Sequence, residues 1–198
     1  VSKSPLDIST LIYSITYYES IVTPTVAATI VVSDSSGLLS GNREKGRPPL
    51  QGTERVEPVI KHSFSEEPVE YVFRVWKIGN RVSSNKTQVY TLGLISEEGL
   101  VNEASTISRT LSGKTEDIIA GPILKEALKS EKTFNKESSL FEHKMTTSRN
   151  RPFDIAAKLT PKTVRQTPNG VGTSENSLSS SAEKIEGSSG YFFWESNR

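Results

Sequence analysis

Residues 69–95 read VEYVFRVWKIGNRVSSNKTQVYTLGLI, and this stretch decides the fold of the first half of the chain. Its two apolar runs, 69–78 and 88–95, alternate between apolar and polar side chains. A period of two in aromatic and β-branched residues is typical of half-buried antiparallel strands. The intervening residues 79–87 are polar and contain Gly and Asn, which favour turns. The sequence therefore predicts a hairpin with a long loop, whose core-facing residues are Val69, Tyr71, Phe73, Val75, Tyr90, Leu92 and Leu94.

Upstream of the hairpin, three more stretches have the composition of strands. Residues 11–19 and 26–33 are rich in β-branched and aromatic side chains. Residues 53–64 predict a further strand, and Pro58 places it at a sheet edge or a bulge. Residues 41–52 are rich in Gly, Pro and charge and predict a loop. Several antiparallel strands in so short a chain predict a small barrel or sandwich.

After the hairpin the pattern changes to a mixture of helix and strand. A short strand is predicted at 105–111, followed by a helix with Thr115 as its N-cap. Glu116 and Asp117 then lie in the first turn, where the helix dipole favours acidic groups. The Gly-Pro pair at 121–122 predicts a kink or two helical pieces.

The last third of the chain combines short elements with a polar tract. Residues 139–147 predict a strand, and 152–159 predict a helix with Pro at its first position. Residues 162–190 are rich in Ser, Gly, Asn and Thr and predict an exposed loop. The aromatic residues 191–194 predict a final strand.

These patterns predict a mainly β protein with an α+β part. An antiparallel β-barrel domain is expected at residues 1–111, and a smaller mixed α+β domain at 112–198.

Composition excludes several classes of function. The chain has 198 residues, with 24 basic and 23 acidic side chains, so it lacks the basic excess of a strong non-specific nucleic-acid binder. It has no cysteine, which excludes disulfides, thiolate metal sites and cysteine nucleophiles. No apolar run reaches the length of a membrane span, and the N-terminal residues do not resemble a signal peptide.

No motif predicts a catalytic, cofactor-binding or metal site. The residues SGKT at 112–115 lack the glycine that a P-loop requires five positions earlier. His62 and His143 are far apart and lack the spacing of a metal site. The carboxylate pairs at 66–67 and 97–98 are adjacent residues, whose side chains point apart on regular structure. We therefore expect no enzyme, no cofactor and no metal.

The aromatic residues of the hairpin permit a second interpretation. Tyr71, Phe73, Trp76 and Tyr90 could stack nucleic-acid bases if they formed an exposed platform. Core packing is favoured, because Tyr71, Phe73 and Tyr90 lie on the apolar faces of the two strands.

The order of these segments resembles that of baseplate hub proteins of contractile-tailed bacteriophages. Residues 6–39 (LDISTLIYSITYYESIVTPTVAATIVVSDSSGLL) resemble the first strands of that family, and 50–64 (LQGTERVEPVIKHSF) resemble a later strand. Residues 71–78 (YVFRVWKI) and 88–94 (QVYTLGL) are similar to its long hairpin. Residues 105–128, with Asp117, Ile118 and Ile119, are similar to its exit strand and first helix. Residues 151–159 (RPFDIAAKL) are similar to its next helix, and residues 190–195 (GYFFWE) to its next strand. The same layout occurs in spike-hub proteins of type VI secretion.

This resemblance implies a structural role in the virion tail baseplate, assembled in the host cytoplasm. Hub proteins form a trimeric or pseudo-sixfold ring that joins the tail tube to the central spike protein. Their other partners are tube-initiator and baseplate wedge proteins, and genomic DNA passes through the lumen without specific binding. The family usually carries two tail-tube-like barrels, whereas this sequence predicts one. The resemblance therefore implies either a second barrel beyond residue 198 or a ring of six chains.

The hairpin is the expected contact between neighbouring barrels in the ring. The resemblance implies edge-to-edge pairing through residues 69–95, with seven candidate interface residues: Glu70, Val72, Arg74, Trp76, Gln88, Val89 and Thr91. Two other functions stay open. One is a small β-barrel module that binds single-stranded nucleic acid or peptide, and the other is a tail-tip cell-wall hydrolase.

Overall fold

The computed structural model describes residues 5–37, 39, 49–61, 68–84, 87–165 and 190–196. The chain forms two compact units: a first unit, Val1–Val101 with Trp194–Arg198, and a second unit, Asn102–Phe193. The domain boundary after residue 111 stays a prediction.

The first unit is built on a five-stranded antiparallel sheet with the strand order β1-β2-β7-β6-β3. A separate two-stranded sheet pairs β4 with β5. The strands are β1 (Ile12–Tyr18), β2 (Ala27–Asp34), β3 (Arg55–Val56), β4 (Val59–Ile60), β5 (Val69–Glu70), β6 (Phe73–Ser84) and β7 (Thr87–Ile95).

The strands predicted at 11–19 and 26–33 are confirmed as β1 and β2, and the hairpin is confirmed as β6 and β7. The long loop predicted at 79–87 is wrong, because β6 continues to Ser84. The register against β7 shifts between Gly79 and Val82, and Asn80 has a positive φ of 41°. A bulge therefore accommodates the turn-forming residues inside the strand without ending it.

The stretch predicted as one strand at 53–64 contains two short strands, β3 and β4, with Pro58 between them. Proline cannot donate to a sheet hydrogen bond, so pairing stops on either side of it. Most of the loop expected at 41–52 lies outside the described residues, which leave out 40–48. The end of the strand predicted at 53–64 also lies outside them, because 62–67 are left out.

The core lies on the concave face of the sheet. Alternate residues of β2 and β7 are buried, as the period of two requires. The buried apolar residues of this core are Val26, Ala28, Ile30, Val32, Leu39, Phe73, Val75, Tyr90, Leu92 and Leu94.

Three aromatic rings show how strongly the sheet curls. β1 and β6 are separated by β2 and β7, which would hold them about 14 Å apart in a flat sheet. Yet the ring of Tyr17 in β1 lies 4.8 Å from that of Tyr71, just before β6, and 6.4 Å from that of Phe73. The rings of Tyr71 and Phe73 stack at 5.8 Å. The sheet therefore bends into a half-barrel around its apolar core, and these rings bridge its concave face.

The second unit pairs β8 (Thr110–Lys114) with β9 (Glu142–Thr146) and packs helices beside them. Its helices are α2 (Thr115–Ile118), which continues as a π-helix (Ile119–Ala127), and α3 (Pro152–Leu159). The helix α1 (Glu97–Ala104) was not predicted, because only its first two residues carry a helix-start signal.

Several predictions for this region are corrected. The strand expected at 105–111 lies instead at β8, Thr110–Lys114. The N-cap of α2 is Lys114, and Thr115 is already helical. The two separate helical pieces expected at residues 121–122 are not formed, because Pro122 lies inside the π-helix, which accommodates the missing donor. The alternative of a kink stays a prediction. Residues 191–194, predicted as a final strand, form no strand with the described residues. Within the predicted polar tract, residues 166–189 lie outside the described part.

The α3 helix shows a cap that comes from far away in sequence. Pro152 occupies its first turn as predicted, and no side chain of its N-cap residue bonds to the helix. Instead, the Phe153 amide donates to Asn102 Oδ1 at 2.8 Å. The buried helix terminus is thus satisfied by a residue about 50 positions upstream.

The two units together confirm the predicted fold class in its coarse form: mainly β, with a curled antiparallel sheet and a few helices.

The alternation in β6 gives a matched test of the concave core. Val75 is fully buried, whereas Val82 in the same strand is 58% exposed. We expect Val75→Ala to lower the free energy of unfolding by about 2 kcal/mol, because it leaves a cavity. Val82→Ala should change it by less than about 0.5 kcal/mol. Urea denaturation of both variants measures this, and equal effects would contradict the assigned register.

Gly99 in α1 gives a test in which packing opposes helix propensity. A Cβ at this position would lie 2.7 Å from Ile95 Cγ1 and 3.0 Å from Thr25 Cγ2. We expect Gly99→Ala to destabilise the protein by about 1–2 kcal/mol through overpacking, although alanine favours helix. Gly79→Ala is the control, because its Cβ would have only an ordinary 3.7 Å contact with the Thr91 carbonyl. A stabilised Gly99→Ala variant in thermal unfolding would contradict this packing.

Candidate assembly interface

Three of the predicted interface residues lie on the interior strand β7. Gln88 pairs with Asp34 of β2 and Val89 with Ser33, while Thr91 pairs with Val31. On its other side, β7 pairs with β6 over the same residues. Because both edges of β7 are already occupied, its backbone offers no edge to another chain. Contact through these side chains stays a prediction.

The other strand of the hairpin is partly covered near its start. Glu70 belongs to β5, where it pairs with Val59. Val72 lies between β5 and β6 and is 37% exposed. The guanidinium of Arg74 donates to Glu97 at 2.7 Å, and Arg74 pairs with Arg55 of β3. These residues hold the hairpin to its own unit.

Trp76 is the more exposed of the two exposed apolar residues in the predicted interface, at 56% against 37% for Val72. The register between β6 and β7 shifts at this position, so Trp76 is the extra residue of a bulge. Its indole lies against Gly93, where a Cβ would be only 3.1 Å from the ring nitrogen. Lys77 Nζ lies 6.0 Å from the centre of the ring. Gly93 thus allows the indole to lie flat on the outer face of the sheet, where it is open to a partner.

The open edges of the sheet are β1 and the far part of β6. Within the described ranges, no strand pairs with the outer side of β1. On β6, pairing with β3 covers Phe73 and Arg74, and Val75 exchanges hydrogen bonds with Thr53 and Glu54. Residues 77–84 of β6 then have no neighbour on that side among the described residues. Sequence reasoning missed β1 as an edge, because alternation does not reveal strand order.

The strand β1 has few of the features that protect sheet edges. Its sequence, IYSITYY, contains no charge and no proline. Tyr13 is extra in the register with β2 and is 83% exposed, and Tyr18 is 54% exposed. Natural edges usually carry charges, prolines or several bulges that prevent pairing with other chains. β1 is therefore the edge best suited to accept another strand.

The second unit contains a buried carboxylate that could suggest chemistry. Glu116 is 6% exposed and accepts hydrogen bonds from the Ser139 amide at 3.1 Å and from the Ser139 hydroxyl at 2.5 Å. The Ser139 hydroxyl also accepts from the Thr115 amide at 3.3 Å. Ser139 is fully buried, so no substrate can reach it. The cluster is a structural connection between α2 and the chain before β9.

The electrostatics of Glu116 follow from these bonds. Burial raises the pKa of its carboxyl, but the hydrogen bonds from Ser139 and the positive charge of Lys114 outweigh burial. The net result is a pKa below the ordinary value of 4.5, so the ionised form stabilises the fold.

The Thr115 side chain does not cap the helix backbone, although the sequence suggested it. Its hydroxyl forms a 2.7 Å hydrogen bond with that of Thr163, and Thr163 donates on to the Leu159 carbonyl. The residues 112–115 form the end of β8 and the start of α2, with no phosphate-binding loop.

Other candidate chemistry is sparse in the part of the chain that the structure describes. His143 lies in β9 with a buried Nε2 that has no hydrogen-bond partner there, while His62 lies outside the described residues. The described side chains contain no group of three or more metal-ligating residues. None of the described helices has the length and apolar character to cross a bilayer. Phe73 and Tyr90 are buried in the core and Tyr71 is partly buried against it, which removes them from any base-stacking platform.

Comparison with known proteins gives no assignment. No family model matches the sequence, and no curated protein is detectably similar to it.

Glu116 predicts an acid-dependent contribution to stability. Because its folded-state pKa is lowered, its contribution is present above about pH 4.5 and is lost as the pH falls through the folded-state pKa. We expect Glu116→Gln to cost about 2 kcal/mol at pH 7, because the amide nitrogen faces the Ser139 donors. The loss should shrink at acidic pH. Urea denaturation between pH 3 and pH 7 measures it, with exposed Glu131→Gln as the control; a loss independent of pH would contradict the role of the ionised carboxylate.

Proposed function

We propose that this chain is a non-enzymatic structural component of a phage tail baseplate hub, with a tail-tube-like first unit. It forms a threefold or pseudo-sixfold ring that joins the tail tube to the central spike and surrounds the channel for DNA ejection. The observation that carries the proposal is the curled antiparallel sheet with open outer edges in its described part.

The architecture supports ring formation in a simple physical way. An antiparallel sheet with two open edges can continue into identical sheets on either side. Such head-to-tail contacts generate a closed ring when the rotation between copies closes. The collinear resemblance to hub proteins, which runs over nearly the whole chain, supplies the biological setting.

The charge of the chain also suits a conduit. With 24 basic and 23 acidic residues, the chain has little net attraction for phosphates. A strongly basic channel wall would retain DNA through counterion release. A nearly neutral wall lets DNA pass without specific binding.

One observation favours the alternative of a nucleic-acid module. Trp76 is exposed on the outer face of the sheet with Lys77 above its ring, and Arg74 lies on the same strand. An aromatic ring beside cations can stack a base. Among the described residues of the hairpin, however, Trp76 is the one exposed aromatic ring, because Phe73 and Tyr90 are buried.

Native mass spectrometry, with electron microscopy of the same sample, tests the proposal. We expect rings of three or six copies that capture the spike protein of the same virion. Labelled oligothymidine should bind only weakly in fluorescence anisotropy, with a Kd above about 100 μM at physiological salt. A stable monomer that ignores the spike would overturn the hub proposal. Tight oligonucleotide binding that Trp76→Ala abolishes would support the module instead, and cleavage of peptidoglycan would support the hydrolase.

A further inference from the structure

The direction of the strands decides how two copies of the sheet can join. The strands β1, β2, β7 and β6 pair antiparallel in that order, so β1 and β6 run in opposite directions. If two copies are related by rotation about an axis along the strands, β1 of one copy meets β6 of the next in antiparallel orientation. The alternation of the sheet then continues unbroken between copies.

The alternative contact, between two β1 strands about a two-fold axis, has a different consequence. It uses the β1 edge of both copies and leaves both β6 edges unpaired. It therefore produces a dimer and cannot extend into a ring.

The side chains at the two edges favour the head-to-tail contact. Tyr18 ends β1 and is exposed, and Lys77 begins the open part of β6 and is also exposed. In an antiparallel arrangement, the end of one strand lies beside the start of the other. Tyr18 and Lys77 both lie on the outer face of the sheet, because Tyr18 pairs with Ala27 and Lys77 pairs with Gly93. The ring of Tyr18 then lies beside Lys77 and Trp76 of the neighbouring copy. Aromatic side chains on adjacent strands, and a cation beside an aromatic ring, stabilise their pairing.

The β6 edge is also built to be selective. Its open part carries Lys77 and Arg81, and the register shifts between Gly79 and Val82. Charges and bulges discourage pairing of an edge with itself or with unrelated strands. The uncharged β1 strand is not repelled by these cations, whereas a second β6 edge is.

We propose that β1 of one copy pairs antiparallel with residues 77–84 of β6 in the neighbouring copy. This inference rests on the proposed ring assembly and names the two edges that build it. The hairpin thus contributes only its outer strand to the contact, and the other edge comes from the N-terminal strand.

Cysteine cross-linking tests the pairing directly, because the chain contains no cysteine of its own. Ser14, Thr16 and Val82 lie on one face of the sheet, since their cross-strand partners share that face. Two double variants, Ser14→Cys with Val82→Cys and Thr16→Cys with Val82→Cys, cover two registers. At least one should oxidise to covalent oligomers, because paired strands bring the Cα atoms within disulfide range. The single-cysteine variants are controls and should remain uncross-linked.

Truncation of aromatic side chains gives an independent measurement on the same rings. Tyr18→Ala and Trp76→Ala should each weaken ring association about threefold to fivefold, and the double variant should lose less than the two effects combined. Glu131→Ala in the second unit is the control and should leave association unchanged.

The outcomes separate this inference from the proposed function. Wild-type rings with cross-linked double variants and weakened association after truncation of Tyr18 and Trp76 support both. Wild-type rings without cross-links or truncation effects overturn the β1–β6 pairing and leave the hub proposal standing. Covalent dimers from Ser14→Cys or Thr16→Cys alone show two-fold β1 pairing, and those from Val82→Cys alone show two-fold β6 pairing; either result overturns the inference. A wild-type chain that never forms rings overturns both.

Discussion

Burial of one side of β7 is the constraint on which the first unit depends. Tyr90, Leu92 and Leu94 point into the concave core and are at most 3% exposed, while the strand is hydrogen-bonded to β2 and β6 on its two sides. A slip of one residue in either pairing would turn the apolar side chains of a neighbouring strand to the outside. The register of three strands is therefore fixed together, and the bulges in β6 are the places where its extra residues fit that register.

The same constraint decides where the molecule can meet partners. Because β2 and β7 occupy the middle of the sheet, the edges fall to β1 and to the far part of β6. The curl that brings Tyr17 to Tyr71 closes the concave face on its own core, so the outer face and the edges are left for contacts. An assembly role fits a unit whose interior is filled with side chains and whose described edges are open.

The second unit depends more on polar contacts between distant segments. Its helices are short, and helices of this length are not stable by themselves. Asn102 binds the start of α3, Ser139 binds Glu116 in α2, and Thr163 binds Thr115. Each contact joins segments separated by at least 20 residues. The ionised Glu116 is the most sensitive of these connections, since its hydrogen bonds weaken once it is protonated.

The sequence by itself determined the alternating strands β1, β2, β6 and β7, the buried faces of β6 and β7, and the helix that starts at Pro152, because these follow from local periodicity and from the fixed φ of proline. It also placed Phe73 and Tyr90 in the core. Only the tertiary structure decided that Gly79 and Asn80 lie inside a strand, that Thr115 bonds to Thr163, and that β7 is central while β1 is an edge. Strand order and long-range hydrogen bonds depend on which segments meet in space, and local sequence patterns carry no information about that.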